Sequence, residues 1–179
     1  MRKLITTTLI IMLVGLVALP AMAAPSADTT LTFSVAGGTL DITAPASRSF
    51  GTGLSPGQVV NDVALGNVNV SDTRNISPAA WTATAQSTSF TAGASTIPNT
   101  ALAMRIDTGV FPPVYTGTGC LRTIHNAVYE AFNAAPLTYL TVSGCEGNNT
   151  AQFNPYLRLT VPGSAFAGSY SGVLTSAVS

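Results

Sequence analysis

One stretch constrains this chain more than any other: residues 68–85, Val-Asn-Val-Ser-Asp-Thr-Arg-Asn-Ile-Ser-Pro-Ala-Ala-Trp-Thr-Ala-Thr-Ala, which hold the only tryptophan. Val68 and Val70 alternate with Asn69 and Ser71. Trp81, Ala83 and Ala85 alternate with Thr82 and Thr84. Both arms show the period of two that belongs to a half-buried strand. Between them, Asp72, Asn75 and Ser77 can bond local backbone groups, and Pro78 holds Ser77 extended and cannot donate to a sheet ladder. The stretch therefore reads as two strands and a corner, with Trp81 supplying the large apolar side chain around which two sheets can close.

The rest of the chain repeats that pattern. Residues 30–35 and 39–43 read as two strands joined through Ala36-Gly37-Gly38, with Leu31, Phe33 and Val35 on one face. A Gly/Ser/Pro loop at 51–57 precedes Val59 and Val60, and residues 63–71 read as extended. Short strands follow at 88–91 and 101–106. Residues 107–123, with Gly109, Pro112, Pro113, Gly117 and Gly119, read as a long irregular excursion. Ile124, Val128 and Phe132 recur at helical spacing, so residues 124–132 admit either a short helical turn or extended chain. Strands at 137–142, 153–161 and 169–178 complete the pattern, with a loop at 144–150 around Cys145 and with Pro155 at a bulge or edge. Roughly nine short strands with a turn signal about every ten residues predict an all-β fold, an Ig-like or Greek-key-type β-sandwich.

The N-terminus carries an export signal. Arg2 and Lys3 precede an apolar run at 4–19, and Pro20 followed by Ala21-Met22-Ala23 predicts cleavage between Ala23 and Ala24. That run is about sixteen residues, short of the roughly 20 that span a bilayer, so no membrane span is expected after cleavage. A secreted location is expected from the leader. Residues 24–179 are of a size for one domain.

Beyond the leader there is no lysine; the cations are Arg48, Arg74, Arg105, Arg122 and Arg158, against Asp28, Asp41, Asp62, Asp72, Asp107, Glu130 and Glu146. With no basic cluster to follow a phosphate backbone, nucleic acid is not an expected partner. Cys120 and Cys145 most simply pair in an oxidising compartment, and closing that loop stabilises by roughly 3 kcal/mol in the chain-entropy model. Neither a metal nor a cofactor is expected, because there is no Cys-x-x-Cys and His125 is the only histidine.

Four segments in order resemble the WxL domain, a secreted cell-wall-binding module, in its divergent actinobacterial form. Leu40-Asp41-Ile42-Thr43-Ala44-Pro45 with Phe50 resembles the family's opening strand. Val70-Ser71-Asp72-Thr73-Arg74 and then Trp81-Thr82-Ala83 resemble its Asp-x-Arg loop and first Trp-x-Leu element. Residues 148–155 with 157–162 resemble its late strand, and Tyr170-Ser171-Gly172-Val173-Leu174-Thr175 its closing Tyr-x-x-x-Leu-Thr. Ala83 stands where the first element has leucine, and Ser176-Ala177-Val178 where the second Trp-x-Leu would lie. The resemblance implies a cell-surface location and non-covalent attachment to peptidoglycan, and Trp81, Asp72, Arg74 and Tyr170 are the candidate ligand-binding residues. Read as ordinary β-protein residues, Trp81 is a core anchor and the Asp72/Arg74 pair caps a turn.

Catalysis is not expected, although paired carboxylates for glycoside hydrolysis could be drawn from Glu130, Glu146 and five aspartates, several of them in turns. A hydrolytic triad would depend on His125, without a Gly-x-Ser-x-Gly elbow to present a serine. Two non-catalytic roles stand out: a module held to cell-wall glycan through one polar face, and a structural or adhesive subunit joined to another surface protein through its sheet edges.

Overall fold

The computed structural model describes residues 29–109 and 112–179. Contacts divide the chain between Ser34 and Val35 into two units. Of the first, residues 29–34 are described, and they form no strand. The expected leader and its cleavage site at Ala23 and Ala24 lie outside the described residues.

The second unit is built of strands. They are β1 (Leu40–Thr43), β2 (Val59–Ala64), β3 (Val68–Asp72), β4 (Ala79–Ser87), β5 (Phe90–Ala92), β6 (Ser95–Ile97), β7 (Leu102–Ile106), β8 (Val114–Thr118), β9 (Leu121–Ile124), β10 (Glu130–Ala131), β11 (Leu137–Phe153), β12 (Pro155–Thr160) and β13 (Leu174–Val178). A single 3₁₀ turn at Asn99–Ala101 is the one helical element among the described residues. None of their helices is long and apolar enough to cross a membrane. The all-β expectation holds, with thirteen strands where about nine were read.

The first sheet is organised around β11. Its C-terminal half pairs with β3 and β8, and its N-terminal half with β4 and β9. Only Gly119 and Cys120 separate β8 from β9, so these two share one side of β11, and β3 and β4 share the other. β1 then pairs with β3, and β13 with β4. Each position in this sheet except that of β11 is thus filled by two short strands laid end to end. The second sheet has the order β10-β7-β12-β2, and β5 and β6 form a separate hairpin.

Both sheets contribute to one core. Val68, Val70, Trp81, Ala83, Leu140, Val142 and Phe153 from the first meet Leu102, Met104, Ile106 and Leu157 from the second. β4 alternates buried and exposed along its whole length, as the sequence periodicity requires. Tyr139 and Phe153, on the same strand, pack with ring centroids 5.2 Å apart in a tilted arrangement.

Several sequence expectations change. Residues 30–35 are not a strand, and Leu31, Phe33 and Val35 are exposed. Gly37 and Gly38 do not close a hairpin. Instead Gly38 N–H donates to Thr73 O (2.8 Å), and a Cβ on Gly38 would lie 2.7 Å from that carbonyl oxygen, a close approach only glycine permits. The extended run at 63–71 is broken at Gly66, whose φ of 108° lets the chain leave the second sheet and enter the first. The excursion at 107–123 contains β8 and most of β9, and residues 124–132 form no helical turn.

The largest revision concerns residues 144–150, read as a loop from Gly144, Gly147, Asn148 and Asn149. They are the middle of a 17-residue strand. Gly144 (φ 71°) and Gly147 (φ 69°) fall where the pairing register shifts, so the glycines bend β11 instead of ending it. The expected disulfide is present: Cys120, between β8 and β9, is bonded to buried Cys145 on β11 and staples this edge of the sheet.

Candidate functional site

Three of the four candidate residues meet in one place. Asp72 ends β3 with its side chain turned inward, 1% exposed. Two residues on, Arg74 folds back over it, donating from Nε to Oδ1 (2.9 Å) and from Nη2 to Oδ2 (2.8 Å). The Arg74 backbone N–H also reaches Oδ1 (3.1 Å), the Asx-type turn that an aspartate at a strand end forms. Nη2 further donates to Ala80 O (2.9 Å), so one guanidinium closes the corner between β3 and β4.

The tryptophan completes the network from the other side. Asn149 lies opposite Asp72 on β11. Its Oδ1 accepts from Trp81 Nε1 (2.7 Å), and its Nδ2 donates to Asp72 Oδ2 (3.2 Å) and to Gly147 O (3.3 Å). A buried indole N–H requires an acceptor, and Asn149 is the acceptor this fold provides. Arg74 holds the Asp72 carboxyl below the usual carboxylate range, and Asp72 in turn raises Arg74.

This constellation is a lock. Trp81 is 3% exposed, which leaves no ring face for a sugar to stack on. Asp72 is ionised, satisfied and covered. The sequence did not single out Asn149, although it sits within the segment resembling the late strand. The signal available was the need of a buried tryptophan for a polar partner. Tyr170 stands apart: it is half-buried, and its hydroxyl donates to Phe166 O (3.1 Å). Among the described residues no hydrogen bond joins it to Asp72, Arg74 or Trp81.

A second constellation of the same residue types lies on the outer face of the second sheet. Arg105 on β7 donates from Nη2 to Asp62 Oδ1 (2.9 Å) on β2, and its Nη1 is 3.7 Å from Asp107 Oδ1. The Tyr129 hydroxyl donates to Asp62 Oδ1 (2.8 Å) and accepts from the Asp62 backbone N–H (3.0 Å). The Arg105 guanidinium lies 4.7 Å from the ring centre of Tyr156 and 5.3 Å from that of Tyr129, and Arg158 lies 4.6 Å from Tyr129. Tyr156 and Arg158 alternate with inward-facing Leu157 and Leu159 on β12, which sets them outward.

Asp62 reaches this cluster because it is a bulge residue. Its φ is 54°, and the register between β2 and β12 shifts beside it, so the residue is an interruption inside a strand. Hydrogen bonds from Arg105 and then Tyr129 hold the Asp62 carboxyl low, and burial followed by the Asp62 contact raises the Tyr129 phenol. In the sequence the tyrosines look scattered; β7 collects two of them, Tyr156 through its pairing with β12 and Tyr129 through its pairing with β10, which Tyr129 immediately precedes.

His125 places Nε2 3.0 Å from Thr141 Oγ1 on the exposed surface. No group of three potential metal ligands occurs among the described residues. No protein-family model matches this chain, and no curated protein matches it in sequence.

Proposed function

We propose that this chain is a secreted, non-catalytic cell-surface module of WxL type that binds the bacterial cell wall non-covalently. One observation carries the reading. Two of the four segments that resemble the family lie far apart in sequence, yet their residues Asp72, Arg74 and Trp81 on one side and Asn149 on the other interlock in one network. An arrangement of that kind gives those residue types a shared reason to occur in that order: they hold the corner of the first sheet.

Asp72, Trp81 and Asn149 are buried beneath a partly exposed Arg74, so the network shapes the domain and leaves the contact to another surface. The outer face of the second sheet suits a hydroxyl-rich glycan. Arg105 and Arg158 carry planar donors, Tyr129 and Tyr156 carry phenols, and Asp62 is an exposed acceptor, all held by one another before a ligand arrives. Preorganised polar and aromatic groups on strands form a more exact site than groups on loops.

Protein expressed from the complete sequence and mixed with washed Gram-positive cell walls is expected to pellet with them. Replacing both Tyr156 and Arg158 by alanine lowers the bound fraction at fixed wall concentration, corresponding to about a tenfold weaker affinity, while the far-ultraviolet circular dichroism is unchanged. Folded protein that stays in the supernatant would remove wall binding as the function.

A further inference from the structure

Most sheet edges in this fold are defended. The β8–β9 edge is interrupted by Gly117 (φ 111°) and Gly119 (φ 71°) and carries Arg122. β2 is bulged at charged Asp62, β1 is four residues with Asp41 among them, and β10 is two residues long. Bulges, charges and shortness are the devices that keep strand edges from pairing with other chains. β13 has none of them. Leu174–Val178 contains no charge and no proline, keeps an unshifted register against β4, and pairs with that strand alone among the described residues.

Beside β13 lies a cleft of about 180 Å³. Phe50, Leu65, Phe90, Leu102, Leu157 and Leu174 are among its lining residues, and Arg48 is the one charged side chain in its wall. An engineered apolar cavity of roughly 150 Å³ takes up a benzene ring. The cleft is therefore of a size for one aromatic side chain.

The same chain carries a strand sequence with no sheet. Residues 30–35 read Thr-Leu-Thr-Phe-Ser-Val, and Leu31, Phe33 and Val35 are 87%, 90% and 69% exposed. Six extended residues cover roughly 20 Å, against roughly 17 Å for a five-residue strand such as β13. Segment and edge are both free of charge, so pairing them strips no ion of water.

We propose that two copies of this chain associate by strand addition: residues 30–35 of one copy pair along β13 of the other, with Phe33 seated in the cleft and Leu31 and Val35 on either side of it. Backbone hydrogen bonds supply the attraction, and the seated side chain sets the register. A single six-residue strand buries less than the roughly 1,200–2,000 Å² of a stable interface. Mutual exchange between the same two copies doubles the area and closes as a two-fold dimer.

Sedimentation equilibrium on protein expressed from the complete sequence, over a concentration series, tests this. The unaltered protein dimerises with concentration. Phe33→Ser, at a position already exposed, weakens the dimer by at least about tenfold, the effect expected of a central anchor, and Val128→Ser, equally apolar and 75% exposed elsewhere, leaves it unchanged. Ala46→Trp, which fills the mouth of the cleft, weakens it as Phe33→Ser does. Mixing the two weakened variants gives association tighter than that of either variant alone and weaker than that of the unaltered protein, because the mixed pair keeps one of the two exchanges intact. A monomer at every concentration, equal loss in Val128→Ser, or a mixture no tighter than either variant alone overturns the proposal.

Discussion

Asp72–Arg74–Trp81 and Asp62–Arg105–Tyr129 are built from nearly the same parts, an aspartate, an arginine and an aromatic ring, and they do different work. In the first, the carboxylate is 1% exposed and the indole 3%. In the second, the Asp62 side chain is 59% exposed and Arg105 24%. Burial decides the difference. A covered carboxylate that loses its cation keeps the full cost of desolvation, whereas an exposed one is re-solvated by water. The first cluster therefore holds the fold together, and the second is free to meet a partner.

Substitutions can break that contrast, beginning with the largest effect. Trp81→Ala removes the ring between the sheets and strands Asn149, and costs about 3–5 kcal/mol in urea unfolding. Arg74→Ala leaves Asp72 covered without its cation and costs about 2–4 kcal/mol by the same measurement. Asn149→Ala leaves the indole N–H without an acceptor and costs about 1–3 kcal/mol. Arg105→Ala, the surface counterpart of Arg74→Ala, costs under about 1 kcal/mol. If Arg105→Ala destabilised as much as Arg74→Ala, the distinction between the buried lock and the exposed cluster would fall.

Acid titration sharpens the comparison further. The folded-state pKa of Asp72 lies below its unfolded value, so its contribution is complete above about pH 4 and is lost as pH falls through the lower folded value. Stability measured by urea unfolding should drop more steeply below about pH 4 in the unaltered protein than in Asp72→Asn. Asp62 is shifted in the same direction. Its exposure to solvent makes the difference for Asp62→Asn smaller, and added salt shrinks it more.

What was legible in the sequence followed the strict period of two. β3, β4 and the corner between them stand where the alternation around Trp81 put them, and the cysteines pair as their number suggested. Two kinds of feature escaped. Glycine and asparagine at 144–150 have the composition of a loop, and only pairing on both sides reveals them as a bent strand. In residues 30–35 the alternation is as regular as anywhere in the chain, but strand formation needs a neighbour with a free edge, and periodicity says nothing of one. The Tyr129–Arg105–Asp62 cluster was illegible for a related reason: its members are brought together by strand pairing and by a positive φ at Asp62, neither of which leaves a local mark.

The position of β11 in the chain also orders events in time. Asp72 and its partner Asn149 are 77 residues apart, and both β3 and β4 wait for β11 to supply their central neighbour. As the chain emerges from the ribosome, β4 gains its central neighbour only once residues 137–145 have been made, and β3 only once residues 149–153 have followed. Contacts of such long range close slowly, so this sheet forms later than a local pairing such as that of β5 with β6, whose partners lie side by side in the chain.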